Sequence, residues 1–489
     1  LPSQTILKNE YNLNKMNAIY QVIKNNHCIG CGACASVKDS PLYIELKNDA
    51  MYQANVKPLN DLSSLDTAID KVCPFSDSSL NENQISQKLF AEKCQYDSKI
   101  GYYLQTFAGY VTEGEFRNKG SSGGIGTWVL SRLLEKNLVD YVIHIHSQSP
   151  TENDPRLFKY GVSSTIDQVM AGAKTRYYPV EMSQVLKIVR EQPGRYAIIG
   201  VPCFIKAVRL LMIEDEIFHE RIKFCIGLIC GHLKSTQFAE MFAWQLGIEP
   251  KTIEKIDFRK KLPATSASAY GVEVTGKENN QLTTKTSSPV NEMFGTNWGL
   301  GFFKYKACDY CDDITAETAD LTVGDAWLPQ YVKDHRGTNV VVVRNEILAE
   351  ILLKGVLEQS LHLDSITLQD VIQSQDANYR HRRAGLAYRL YLAEKKGDWH
   401  PPKRVRSSSS MLPWIQKRFV LRMELADKSH TFFQEALVSG SFSYFVEKMT
   451  PLIESYQNTY KQPLWHKILT KFKHLSQVIV KSPTFKFKN

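Results

Sequence analysis

The pattern of apolar and polar positions changes texture twice along the chain. The first 100 residues are irregular, broken by Gly, Asn, Asp and Ser clusters. From about residue 104 a regular pattern begins. The apolar stretch Tyr103–Val111 leads through a Gly/Ser turn into the amphipathic run Thr127–Lys136, and Tyr141–His146 follows as a strand. The same sequence of elements returns as Tyr196–Ile199, a Pro/Cys turn, a helical run from Phe204 to Met212, and then Phe224–Ile229. Ile256–Arg259, Tyr270–Thr275, Leu321–Val323 and Val340–Arg344 are further predicted strands. Strands alternating with helices predict an α/β core with its sheet covered on both faces. Beyond about residue 376 strand patterns end and helical patterns rich in Arg, Lys and aromatics take over; His400–Ser410 reads as a linker or exposed loop. The expected fold class is therefore α/β (α+β) and multidomain: residues 1–100, a mixed α/β core over 101–375, and a basic helical unit over 376–489.

Composition narrows the class. At 489 residues, with 43% hydrophobic and 23% charged positions, the chain has ordinary globular values, which exclude wholesale disorder, collagen and disulfide scaffolds. No apolar run approaches the roughly 18 residues of a membrane span. The N-terminal stretch is polar and carries no signal-peptide core; Met16 is a candidate start, so some of residues 1–15 are read as added or processed sequence. The expected compartment is the reducing cytoplasm, where ten cysteines do not form five disulfides. The charge is uneven. Residues 376–489 hold 21 Lys/Arg against 8 Asp/Glu, a net of +13 within a whole-chain net of +9. That asymmetry predicts an anionic partner at the C-terminal quarter.

The cysteines carry the chemistry. Cys28, Cys31 and Cys34 are spaced so that one glycine-bearing loop can offer three thiolates to a cubic cluster. The position that would serve a second cluster in a two-cluster ferredoxin is Lys38, so the fourth ligand must be distant, and Cys73, followed by Pro74, is the candidate. One [4Fe–4S] centre is the reading, against a structural zinc site, which usually pairs two short C-x2-C units. Residues 1–100 are thus a ferredoxin-like unit. A dispersed set, Cys203, Cys230, Cys308 and Cys311, lies at predicted strand ends and turns; ligand count suits iron–sulfur and zinc equally, and core cysteines are a third reading. Cys94 and Cys225 read as buried free thiols. The turn Lys119–Thr127, with Ser121, Ser122, Gly123 and Gly124 at a predicted helix start, exposes backbone N–H groups to an anion. It is neither a P-loop nor a Gly-x-Gly-x-x-Gly fingerprint. Beside a redox cluster it points to a flavin or nicotinamide nucleotide, with flavin preferred because it converts single electrons into hydride chemistry.

Ser121–Gly124, the turn Gly200-Val201-Pro202-Cys203, Leu228-Ile229-Cys230, and Cys308-x2-Cys311 leading into Val323–Trp327 together resemble the family of coenzyme F-420 hydrogenase/dehydrogenase beta subunits. This flavoprotein family includes ferredoxin-dependent reductases, and the resemblance covers about residues 25–345. It implies a second [4Fe–4S] cluster on Cys203, Cys230, Cys308 and Cys311. It also implies an FAD phosphate site at Ser121, Ser122, Gly123, Gly124 and Thr127. By the same likeness Lys174, Arg176, Tyr177, Gly200, Pro202, Gly324 and Asp325 lie near the flavin. The chain departs from the family pattern at Phe204, where Gln is usual, and at Gly231-His232, where His-Gly is usual. Family members with C-terminal extensions imply a sugar-related substrate.

The expected function is a ferredoxin-dependent oxidoreductase with two [4Fe–4S] clusters and FAD, delivering electrons to a small organic substrate. His232 and Asp325 are candidate proton donors by position, the alternative being that they only hold loop backbone. Two rival readings are an electron-transfer subunit exchanging with a carrier such as F-420, and a zinc-stabilised nucleic-acid-binding protein. In Pro463–Lys481, Trp465, Ile468, Leu469, Phe472, Leu475, Ile479 and Val480 share one helical face, flanked by Lys467, Lys471, Lys473 and His474. That helix either packs on the core or docks, to an acidic ferredoxin or to an anionic membrane.

Overall fold

The computed structural model describes residues 18–57, 67–152 and 154–461, so the 463–481 helix lies outside the described residues. In the N-terminal part a hairpin of β1 (Leu42–Leu46) and β2 (Tyr52–Val56), with the short helices Ala18–Lys24 and Thr67–Lys71, frames the Cys28–Cys34 loop. A second hairpin, β3 (Gln95–Asp97) with β4 (Gly101–Tyr103), leads into the body.

The body is an eight-stranded mixed sheet. Its strands are β5 (Gln105–Val111), β6 (Tyr141–Ser147), β7 (Phe158–Ser163), β8 (Tyr196–Gly200) and β9 (Ile222–Leu228). After a separate antiparallel sheet of β10 (Lys255–Lys260), β11 (Gly271–Glu278) and β12 (Gln281–Thr286) come β13 (Leu321–Asp325), β14 (Asn339–Val343) and β15 (Leu361–Ser365). The order across the large sheet is β15-β5-β14-β13-β9-β8-β6-β7. The four strands β13, β9, β8 and β6 run parallel, and antiparallel strands extend the sheet on both sides. Parallel neighbours need a crossover helix, and Pro202–Glu214 carries the chain from β8 to β9. Pro202 sits in its first turn, where a missing N–H breaks no helical bond. The helix is buried almost all round, and its charges are matched internally: Lys206 by Glu82 at 3.2 Å and Arg209 by Asp320 at 2.7 Å. Because β8, β9 and β13 are parallel, their C-terminal ends open at one edge of the sheet, where ligands of open α/β sheets bind. Cys203, Cys230 and Gly324-Asp325 all follow from those ends.

The N-terminal part shares one apolar core with the body. Ile19, Val22 and Ile69 pack in the same cluster as Val185, Leu186 and Phe204. The C-terminal helices Pro413–Ser439 and Phe442–Asn458 pack on the β10–β12 side through Phe433 and Phe445 against Phe303. One sequence expectation is corrected here. His400–Ser410 forms no helix or strand, but it is not an exposed linker: Arg404, about one-tenth exposed, is ion-paired to Glu317 at 2.6 Å, Asp312 at 3.3 Å and Glu82 at 3.5 Å. Within the basic C-terminal quarter Arg382 and Arg389 are buried.

Candidate functional site

Cys28, Cys31, Cys34 and Cys73 line one cavity together with His27, Pro74 and Phe75. The loop that holds the first three depends on its glycines. Gly30 and Gly32 have φ of +63° and +92°, and a Cβ on either would meet backbone or Cβ atoms of Tyr52 or Ser183 at 2.5 Å or less. The Cys31 carbonyl accepts from Met182 N–H at 3.0 Å, fastening the loop to the body. Burial pushes the Cys31 thiol up to about 12, and burial followed by the neighbouring thiols also raises Cys34. In the ligand-free protein these groups hold their protons, which a bound metal would displace.

Cys203, Cys230, Cys308 and Cys311 also meet. The Cys203 thiol is raised by burial and then by Cys311, Cys230 and Cys308, so all four lie within electrostatic reach, and Cys31 of the first group is the next contributor. Thus the two thiol sets stand side by side. Tyr160, whose hydroxyl donates to Ile199 O at 3.2 Å, feels both Cys203 and Cys31. Phe75 and Pro74 line the cavity of the first set and also the one beside Cys203 and Cys311. Among the described residues no three His, Cys, Asp or Glu groups are arranged to hold a single metal ion. Of the second set, Cys203 and Cys311 line the neighbouring cavity. Arg382, 1% exposed, donates to Cys311 Sγ at 2.8 Å and to the carbonyls of Cys230 and Gly231 at 2.7 Å each. Among the described residues it has no carboxylate at ion-pair distance. A buried guanidinium so placed fits an anionic, thiolate-ligated cluster better than four neutral thiols.

The Ser/Gly turn sits where β5 and β14 meet. Gly124 has φ +85° and opens the helix Ile125–Glu135. A Cβ on Gly123 would lie 2.6 Å from Gly109 O and 2.8 Å from Asn339 Oδ1, so strand packing alone demands glycine there. Ser121 Oγ accepts from Thr175 N–H at 2.9 Å, and Ser122 Oγ donates to Thr338 O at 3.0 Å. Thr175 brings Lys174, Arg176 and Tyr177 to the turn. Asn339 links the turn to β13: its Oδ1 accepts from Ile125 N–H at 3.1 Å and its Nδ2 donates to Gly324 O at 3.0 Å. Over the turn lies Lys261, donating to Arg117 O and, at 3.1 Å, to Ser122 O. Burial, then Lys174, Arg117 and Arg259, push the Lys261 ammonium down to about 7. Crowded, half-desolvated cations at a helix start fit an anionic group such as a pyrophosphate, and an anion there would relieve the mutual repulsion.

The structure therefore brings together the predicted segments 121–124, 174–177 and 324–325. Thr127 follows on the same helix, and Gly126 faces Ile199 and Val323, which places the Gly200-Pro202 turn at the adjoining strand end. His232 is set apart from Asp325. Its ring packs edge-on to Trp298 at 4.5 Å, its Nε2 has no hydrogen-bond partner among the described residues, and burial, then Lys234, drives it well below its ordinary range. Trp298 in turn meets Tyr177 at 4.9 Å, an aromatic bridge from the cysteine side to the cation-lined crevice. Asp325 is ion-paired to Arg259 at 2.6 Å. Sequence reasoning missed Arg117, Arg259, Lys261, Trp298 and Arg382. They come from four separate stretches of the chain, and only the strand order and loop packing collect them.

The fold and site define an α/β protein with two neighbouring groups of four cysteines beside a cation-lined crevice at the ends of parallel strands. Family models match it accordingly. Residues 106–187 fit the N-terminal model of the coenzyme F420 hydrogenase/dehydrogenase beta subunit, and residues 194–369 fit the C-terminal one, together more than half of the chain. The chain belongs to this family of coenzyme F420 hydrogenase/dehydrogenase beta subunits, whose class is electron-transferring oxidoreductase. It is 23% identical over 344 residues to the F subunit of the F420H2 dehydrogenase of Methanosarcina mazei, covering 67% of this chain and 82% of the relative. It is 21% identical over 356 residues to an uncharacterized protein of Methanocaldococcus jannaschii, covering 67% and 86%. A chain of the F420-reducing [NiFe] hydrogenase complex from Methanosarcina barkeri superposes with a TM-score of 0.47 at 18% identity, covering 63% of this chain and 99% of that one. No helix among the described residues is long and apolar enough to cross a membrane.

Proposed function

We propose that this oxidoreductase holds two [4Fe–4S] clusters and FAD and carries electrons from a ferredoxin-like donor to a small organic substrate. The observation that carries the reading is the adjacency of the two four-thiol sets, with Cys31 within electrostatic reach of Cys203. When bound, the clusters supply one-electron transfer and the flavin supplies hydride chemistry. The chain's own part is positional. Cys28, Cys31, Cys34 and Cys73 hold the outer centre, and Cys203, Cys230, Cys308 and Cys311 hold the inner one at the strand ends. Tyr160, Phe75 and Pro74 fill the space between and exclude water. Ser121–Gly124 with Lys261, Lys174 and Arg176 present N–H groups and positive charge to the flavin phosphates. Tyr177, Trp298 and Arg259 line the crevice in which substrate would lie.

Anaerobically purified protein should contain about eight iron atoms per chain and one flavin. Stoichiometric zinc with about four iron atoms would overturn the inner cluster. A second reading, a subunit exchanging electrons with F-420 rather than turning over a substrate of its own, is favoured by the family match. Turnover of F-420 with no activity toward any other acceptor would select it. The basic 463–481 segment, helical by its sequence pattern alone, as a ferredoxin dock is part of the proposal: truncation after Gln462 should weaken ferredoxin-driven turnover and its salt dependence, while turnover with a small chemical reductant persists.

A further inference from the structure

Arg382 ends the helix Asp376–Arg382, beyond both stretches that match the family models, yet its side chain is 1% exposed and reaches the inner cysteine set. One amino group donates to Cys311 Sγ at 2.8 Å and also contacts Asp313 O; the other donates to Cys230 O and Gly231 O at 2.7 Å each. The fork thus ties together the two loops that carry three of the four thiols. Its helix is braced by Arg389, which donates to His381 O at 2.8 Å and to Asp309 O at 2.7 Å without reaching a thiol. The outer set is treated differently. Cys28 Sγ accepts only from the backbone N–H groups of Gly30 and Ala54, at 3.4 and 3.3 Å, among the described residues.

We propose that Arg382 is a positioning residue for the inner cluster: it fixes the ligand loops and, through its N–H···S bond to Cys311, raises that cluster's reduction potential above that of the outer one. The inference rests on the proposed inner [4Fe–4S] cluster. Reduction adds one negative charge to the cluster, and an arginine stays cationic at every relevant pH, so a buried guanidinium beside the ligand sulfur favours the reduced state. Hydrogen bonds to sulfur and net charge are the levers by which a protein tunes such a cluster. Backbone N–H groups are weaker donors, and the buried cation that acts on Cys73, Lys206, is already ion-paired to Glu82 at 3.2 Å, which leaves the outer cluster at the lower potential. Electrons entering at the outer centre would then run downhill toward the crevice. This is a role for the C-terminal helical unit that the family match does not contain.

The test uses the full chain, purified anaerobically, as wild type, Arg382→Gln, Arg382→Lys and Arg389→Lys. Iron per chain is measured, and each cluster is titrated with dithionite under EPR. Arg382→Gln should keep both clusters and shift the inner reduction equilibrium about tenfold toward the oxidised form, about 59 mV for one electron. Arg382→Lys should fall between it and wild type, and Arg389→Lys and the outer cluster should not move. Wild-type potentials in Arg382→Gln, or equal shifts in Arg389→Lys, would overturn the proposal. Where Arg382 variants shed about four iron atoms, retention in Arg389→Lys supports the positioning role, and loss in all three overturns it as a general packing defect. The underlying cluster reading fails separately: Cys311→Ser would then leave wild-type iron content unchanged.

Discussion

Arg259, on β10, donates a 2.6 Å hydrogen bond to Asp325 at the end of β13, pairing residues that belong to two different sheets. Burial works against the guanidinium charge, but Asp325, Tyr177 and Tyr270 outweigh it and hold Arg259 above its ordinary range. A carboxylate committed to a buried cation is an acceptor and a counter-ion. Asp325→Asn should therefore weaken flavin retention and lower kcat less than tenfold at saturating flavin. A fall of about 10²–10⁴ in kcat with flavin retained would instead assign it the general-acid role.

Lys261 sets a pH dependence. Its ammonium is pushed from an ordinary 10.5 down to about 7 by burial and then by Lys174, Arg117 and Arg259. Between about 7 and 10.5 the unfolded chain binds this proton and the folded chain does not, so the stability of the flavin-free protein rises with pH across that window. Below about 7 both states are protonated and the full cost is present. An anionic ligand favours the charged form, so FAD affinity should fall as pH rises past 7, approaching about tenfold per pH unit. Fluorescence titration of the flavin-free protein between about pH 6 and 9 checks this. Lys261→Gln should weaken binding and flatten the profile; an unchanged slope would remove Lys261 from the site.

Arg404 is a clamp. It is the cation shared by Glu82 from the N-terminal part and Asp312 and Glu317 from the body, all nearly buried. Trp399, on the same arm, donates to Asp77 at 3.3 Å, and Lys403 lies 4.7 Å over the Phe75 ring. Arg404→Ala leaves buried Asp312 without an ion-pair partner among the described residues, while Glu82 keeps Lys206 and Glu317 keeps Arg383, a loss of about 3–5 kcal/mol. The thermal midpoint should drop, and limited proteolysis should cut first between the N-terminal part and the body. An unchanged midpoint would mean that the arm is not what joins them.

The thiols can be sorted by metal content. Cys73→Ser should remove the outer centre and Cys311→Ser the inner one, each halving iron. Cys225, fully buried in β9, and Cys94, whose Sγ meets Arg344 O at 3.3 Å, take part in neither set. Cys225→Ala and Cys94→Ala should keep full iron. Iron loss in either would show that the ligand sets are drawn wrongly.

The sequence alone determined what local spacing and local periodicity can encode. Cys28, Cys31 and Cys34 belong to one loop, so their shared target was readable from the interval between them, as were the glycines that let the loop close. β14, with five buried positions in Asn339–Val343, announced itself by its apolar run. β12 did not, because Gln281–Thr286 is a polar edge strand whose pairing with β11, not its burial, makes it a strand. β7 and β15 were missed too; neither presents a continuous apolar run. The union of the inner set needed the tertiary structure: parallel β8 and β9 open their ends at one edge and bring Cys203 and Cys230 together, and the short helix before β13 brings Cys308, whose Sγ accepts from Leu233 N–H at 3.2 Å, and Cys311 to them. Nothing in the sequence sets Arg382 and Arg404 apart from the other cations of the basic C-terminal quarter, because charge in a sequence carries no information about depth. Their burial follows from tertiary contacts that supply partners: sulfur and carbonyl oxygen for one, three carboxylates for the other. A buried cation is tolerable only where such partners converge, and convergence is a property of the folded chain.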